Sequence, residues 1–277
     1  MNTRLSEENW ILDHFFIQFR NLSEEIAESN DNHCLVLVLG SSLTDEGIKN
    51  NIYFHDKFKA QNKNIIVKKI ILKGSHKEKF ITSKKVLDSI ISLKPDLICL
   101  EEATFVTANQ RSLSKWIHDF NYGVNSFKDI KVLGTINFTN LTTNSTFERE
   151  NENENIVVGD TSRYFQNTPN LRPIVELELF TSYLKRFRNS GTDIVFLDVQ
   201  RAGAFPTNKK TDLFIQNRSE WFEIFQSQFN SQYWDYEGVI PFSHYRDFGH
   251  LNKPGCEIYS SWLFNMIDSH FTDQCSN

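Results

Sequence analysis

Asp247 and His250 stand three residues apart in the segment Asp247-Phe248-Gly249-His250-Leu251-Asn252, a spacing that lets a carboxylate orient an imidazole within one turn and stabilise its protonated form. A histidine held in this way can take a proton from a hydroxyl. The hydroxyl that suits it is Ser42, in Gly40-Ser41-Ser42-Leu43-Thr44. Glycine permits a sharp turn there, and a serine at a strand-to-helix turn presents its Oγ while nearby N–H groups face a developing oxyanion. Gly74, in Leu72-Lys73-Gly74-Ser75, offers another N–H with no side chain in the way. Each piece also has an ordinary structural counterpart: a surface capping turn at Asp247 and His250, a turn with a helix cap at Gly-Ser-Ser, and a loop glycine at Gly74.

Other residues qualify for supporting roles. Glu102 follows an apolar run and can contact substrate hydroxyls, or serve as a solvated carboxylate or helix cap. Arg201 is a substrate-facing cation or a surface arginine. Tyr233, Trp234 and Tyr236 can stack on a sugar ring or belong to the core. His244, Asp247 and His250 have a spacing that metal ligands use, but a site needs at least one more ligand, so no metal is expected.

These residues must be carried by elements. Cys34 to Leu39 (CLVLVL), Ile65 to Leu72, Leu97 to Leu100 and Asp193 to Val199 (DIVFLDV) are continuous apolar runs of the kind found in strands buried on both faces. Helical spacing of apolar residues predicts helices over 5 to 29, from Asp45 to about Ala60, from Ile81 to Leu93, near Ser112 to Phe120, from Pro173 to Asn189, near Leu213 to Phe229 and from about Pro254 to Phe271. A short strand is expected around Tyr233 to Ile240. Strand and helix in alternation point to a parallel sheet with helices on both faces, a three-layer αβα sandwich of about five strands. In such sheets the site forms beyond the carboxyl ends of the strands, where Ser42, Gly74 and Glu102 fall.

The 277 residues carry 30 Lys and Arg against 35 Asp and Glu, a net charge of −5, which argues against nucleic acid as a partner. No apolar run reaches the length of a membrane helix, and the first residues lack the pattern of a signal peptide, so a cytoplasmic protein is expected. Cys34, Cys99, Cys256 and Cys275 are scattered without CxxC spacing and suggest neither a disulfide framework nor a zinc site. No glycine-rich phosphate loop is present. The tract 137–155, NFTNLTTNSTFERENENEN, has too little apolar surface to pack independently and reads as part of an insertion over about 104–170.

Taken together, the chain from about residue 34 to 265 resembles the SGNH (GDSL-like) hydrolase family, as a GSS-type variant with a degenerate third block. Gly40-Ser41-Ser42 resembles the family's nucleophile block, so Ser42 matches the nucleophile. Gly74 matches the oxyanion-hole glycine after the second strand. Asp247 and His250, followed by Leu251, Asn252 and Gly255, match the family's DxxH block before the last helix. Two departures stand out. Ser41 replaces the aspartate of the first block, and in the third block Ala103 and Phe105 stand where the oxyanion glycine and asparagine are expected, with Asn109 a substitute if the loop is longer.

The resemblance implies a flavodoxin-like αβα fold with a central, mainly parallel five-stranded sheet. It also implies a serine esterase or O-acyltransferase acting on small acyl esters, commonly acetyl groups on carbohydrate, with no cofactor. The expected organisation is a helical extension over 1–33 and a single hydrolase-like domain over 34–272. The altered third block motivates an alternative, a catalytically inactive carbohydrate-binding or scaffold protein on the same fold.

Overall fold

The computed structural model describes residues 12, 13, 15–17, 19–26, 33–72, 78–109, 170–173, 178–199, 222–246, 250–272 and 275, with 106–109, 170–173 and 242 described by backbone alone. The run CLVLVLG forms strand β1 (Cys34–Gly40), and its period-two alternation decides the layering. Leu35, Leu37 and Leu39 enter one apolar cluster, while Val36 and Val38 enter another on the opposite face. A strand that buries both faces needs a helical layer on each side.

β2 (Ile65–Ile71), β3 (Leu97–Glu101), β6 (Asp193–Leu197) and β7 (Gln232–Trp234) complete a five-stranded sheet of order β2-β1-β3-β6-β7. Every neighbouring pair in it is parallel. Strand order therefore reverses at β1 and β3, the switch point where a crevice opens beyond the strand ends. The leucine face is covered by helical residues between 12 and 26 (α1), by α4 (Lys79–Thr82) and α5 (Lys84–Ser92), by α6 (Glu178–Asn189) and by helical residues 222–229 (α7). The valine face is covered by α2 (Ser42–Gly47), α3 (Asn51–Ala60) and α8 (Lys253–His270). This is the three-layer αβα sandwich with a parallel five-stranded sheet expected from the sequence.

Several boundaries differ from the sequence reading, each for a local reason. The helix expected from Asp45 to Ala60 is two helices, because Asn50 caps α3 through its side chain, which accepts from Tyr53 N at 3.1 Å. The helix expected from Ile81 likewise divides at Ser83, whose hydroxyl caps α5. Pro173 does not open a helix: it ends strand β5 (Asn170–Pro173), which pairs antiparallel with β4 (Val106–Asn109), and α6 starts at Glu178. The strand expected to reach Ile240 ends at Trp234. The predicted helix over 112–120, the tract 137–155 and residues 213–221 lie outside the described residues.

The cysteines call for a correction. Cys34, at the start of β1, and Cys275 are joined in a disulfide with Cα atoms 5.9 Å apart, across 241 residues of sequence. Their spacing hid this because the two meet only in the assembled fold, where Asn64 N, just before β2, donates to Cys275 O at 3.0 Å. Cys99 and Cys256 are buried free thiols, both made harder to ionise by burial. Among the described residues no helix is long and apolar enough to cross a membrane.

Candidate active site

The turn between β1 and α2 is a complete small hydrogen-bonding problem. Like any helix, α2 begins with backbone N–H groups that lack intrahelical acceptors. Ser41 is its N-cap and accepts from Leu43 N at 3.2 Å. The Ser41 and Thr44 N–H groups both donate to Glu101 Oε2, at 2.6 and 3.3 Å. Ser41 N, Leu43 N and Thr44 N are thus satisfied, and the Ser42 N–H has no acceptor among the described residues. Ser42 is the first helical residue, half-buried, with its Oγ 3.0 Å from His250 Nε2.

His250 arrives by a different route. After a short 3₁₀ turn (Phe242–His244), Tyr245 and Leu251 form an antiparallel bridge, and Arg246 N donates to His250 O at 2.8 Å. Asn252, 2% exposed, then caps α8. Its N donates to His244 O at 3.0 Å, its Nδ2 donates to Ser243 O at 2.8 Å, and its Oδ1 accepts from Gly255 N at 3.3 Å. Gly255 is required by close approach, since a Cβ there would overlap the His244 carbonyl oxygen. Arg246 also reaches α2 itself, placing Nη2 2.7 Å from Glu46 Oε2.

Of the residues singled out from the sequence, Ser42 and His250 are therefore brought together by the fold across 208 residues. Asp247, Gly74 and Arg201 lie outside the described residues. Asn109 does not sit in a long loop: it ends β4, directly after the 3₁₀ turn Glu102–Phe105. Glu102 is not a solvated carboxylate. It is 7% exposed, and its Oε2 accepts the Tyr233 hydroxyl at 2.8 Å. Tyr233 and Tyr236 are partly buried against the two apolar clusters, and Trp234 is inside one of them. Phe105, at the position of the expected asparagine, is core: its ring packs on Phe180, Phe196 and Phe225 at centroid distances of 5.3, 5.4 and 5.8 Å.

Buried ionisable residues escaped the sequence reading, Glu101 and Lys69 foremost among them. Glu101 is 1% exposed and ends β3, and Lys69 is 1% exposed within β2. Lys69 Nζ donates to Asp45 O at 2.9 Å and Ile48 O at 2.7 Å, at the far end of α2. The sequence signal was charge in an otherwise apolar run, two lysines inside IIVKKII and a glutamate ending LICLE.

Fold and geometry together define a parallel αβα protein with a serine–histidine pair at the switch point of its sheet. No family model matches the chain, and no curated protein matches it. Solved structures do resemble it. A candidate acylhydrolase from Bacteroides fragilis NCTC 9343 aligns at 13% identity and TM-score 0.42, over 91% of this chain and 96% of that one. A GDSL-like lipase from Bacteroides thetaiotaomicron VPI-5482 aligns at 12% identity and TM-score 0.41, over 91% and 98%. TesA aligns at 10% identity and TM-score 0.41, over 85% and 98%.

Proposed function

We propose that this protein is a serine esterase or O-acyltransferase, and the observation that carries the reading is the 3.0 Å approach of Ser42 Oγ to His250 Nε2. That distance lies within the hydrogen-bond reach a nucleophile and its base need. With the imidazole proton on Nδ1, Nε2 accepts the Ser42 hydroxyl proton as Oγ bonds to the ester carbonyl carbon. The Ser42 N–H, which has no acceptor among the described residues, faces the resulting oxyanion, and the Gly74 N–H is its proposed companion. His250 then returns the proton to the departing alcohol. The acyl group on Ser42 passes to water or to a sugar hydroxyl, with His250 again taking the proton. Asp247 orients His250 in this scheme, and Glu102 and Arg201 are proposed substrate contacts. Small acyl esters, acetyl groups on carbohydrate first among them, are the substrates favoured by the sequence resemblance.

The compartment is proposed on the cysteines. A disulfide between Cys34 and Cys275 favours an oxidising environment over the cytoplasm expected from the sequence.

The test is labelling of the pure protein with a fluorophosphonate, together with hydrolysis of short p-nitrophenyl esters. Wild type is expected to label at neutral pH and Ser42→Ala to lose both labelling and turnover, by a factor on the order of 10⁶ in kcat. Turnover retained by Ser42→Ala would rule out this nucleophile. An unlabelled, inactive wild type would favour the scaffold alternative.

A further inference from the structure

Helix α2 has six residues and carries a buried charge at each end. At its start, the two oxygens of Glu101 collect four donors from one turn: Ser41 Oγ at 2.6 Å on Oε1, and Ser41 N at 2.6 Å, Thr44 Oγ1 at 2.5 Å and Thr44 N at 3.3 Å on Oε2. Four donors on two oxygens suit an ionised carboxylate, which is acceptor-only. At its end, the Lys69 ammonium donates to the carbonyls of Asp45 and Ile48. Both signs complement the helix dipole. Space for the carboxylate is provided by Gly40, because a Cβ there would lie 2.5 Å from Glu101 Oε2 and overlap Thr44 Oγ1. Ser41 and Thr44, one and two residues from Ser42, give their hydroxyls to Glu101, while the Ser42 hydroxyl meets His250.

We propose that Glu101 is the positioning residue of the nucleophile turn. By drawing Ser41 and Thr44 to one side it aims the Ser42 hydroxyl at His250 and leaves the Ser42 N–H as the donor for the oxyanion. The proposal rests on the serine-hydrolase reading for its catalytic consequence, but its geometric content is independent of turnover. A hydroxyl and an N–H from each of two residues, all taken by one carboxylate, orient the turn through a group that touches neither substrate nor the reacting atoms.

The experiment follows the His250 imidazole by ¹⁵N spectroscopy of the full chain, assigned with His250→Gln, with every variant compared at the same pH. Ser42→Ala marks the state in which the serine contact is lost. Glu101→Gln, which turns an amide donor toward the four donors, is expected to move the His250 Nε2 resonance toward the Ser42→Ala value. Its kcat is expected to fall about 10²-fold with KM nearly unchanged, the size of loss a small misplacement brings. Ser41→Ala and Thr44→Val each remove one donor and are expected to shift the resonance the same way, with kcat down roughly tenfold. A folded Glu101→Gln whose His250 Nε2 resonance matches wild type overturns the proposal. Should Glu101→Gln not fold, wild-type resonances in both milder variants overturn it instead. Fluorophosphonate labelling of wild type judges the hydrolase reading separately, because the imidazole resonance reports on Glu101 whether or not an ester is cleaved.

Discussion

The two turns that meet at the site are built in opposite ways. The serine turn is held by side chains from the two strands that flank β1, Glu101 from β3 and Lys69 from β2, both ionisable and both buried. The histidine turn is held mostly by its own neighbourhood: besides the Arg246–Glu46 pair to α2, it has the Tyr245–Leu251 bridge, the Arg246 to His250 backbone bond and the three bonds of Asn252. A six-residue helix has little cooperativity of its own, so α2 depends on what packs against its ends. The segment before α8 is instead anchored to an 18-residue helix whose cap it supplies. Precision at the serine therefore comes from side-chain hydrogen bonds made across the sheet, and at the histidine mostly from local backbone geometry.

The sharpest way to break this contrast is Lys69→Met. It leaves the carbonyls of Asp45 and Ile48 and the nearby Asp45 carboxylate without their buried cation, a loss expected to cost about 3–5 kcal/mol in urea unfolding. Asn252→Ala removes a cap and the Ser243 contact, and about 1–2 kcal/mol is expected by the same measurement. If Asn252→Ala proves the more damaging, the long-range clamp is not what holds the site.

The smallest effect at neutral pH separates the two sides by titration. Burial pushes Tyr245 up to about 12 and Tyr259 well above its ordinary range. Tyr245 bridges Leu251 in the histidine turn, and Tyr259, on the α8 helix that this turn caps, donates to Asp198 O at 2.5 Å. Their folded forms keep the proton longer than the unfolded chain, so stability is fully present below about pH 10 and falls as pH rises above it toward 12. Tyr245→Phe is expected to make that decline shallower, with little change at pH 7. An unchanged alkaline slope would show that Tyr245 has no part in it.

Much of the fold was legible because the information was local. Apolar runs of strand length, separated by helical periodicity, specify a doubly covered parallel sheet wherever their order is read. The histidine segment was legible for the same reason, since its cap, its glycine and its helix follow one another in sequence. The third-block departure was also visible, and the packing of Phe105 among three aromatic rings explains it: that position belongs to the leucine-face core.

By itself, then, the amino-acid sequence determined the alternation of strands and helices and the chemical types at Ser42 and His250. Only the tertiary structure decided that these two lie 3.0 Å apart, that Glu101 and Lys69 are buried clamps rather than solvated charges, and that Cys34 meets Cys275. The physical reason is register. A charge at the end of a strand faces solvent or the start of a neighbouring helix according to which strands lie beside it. That is a property of the assembled sheet and of no single segment.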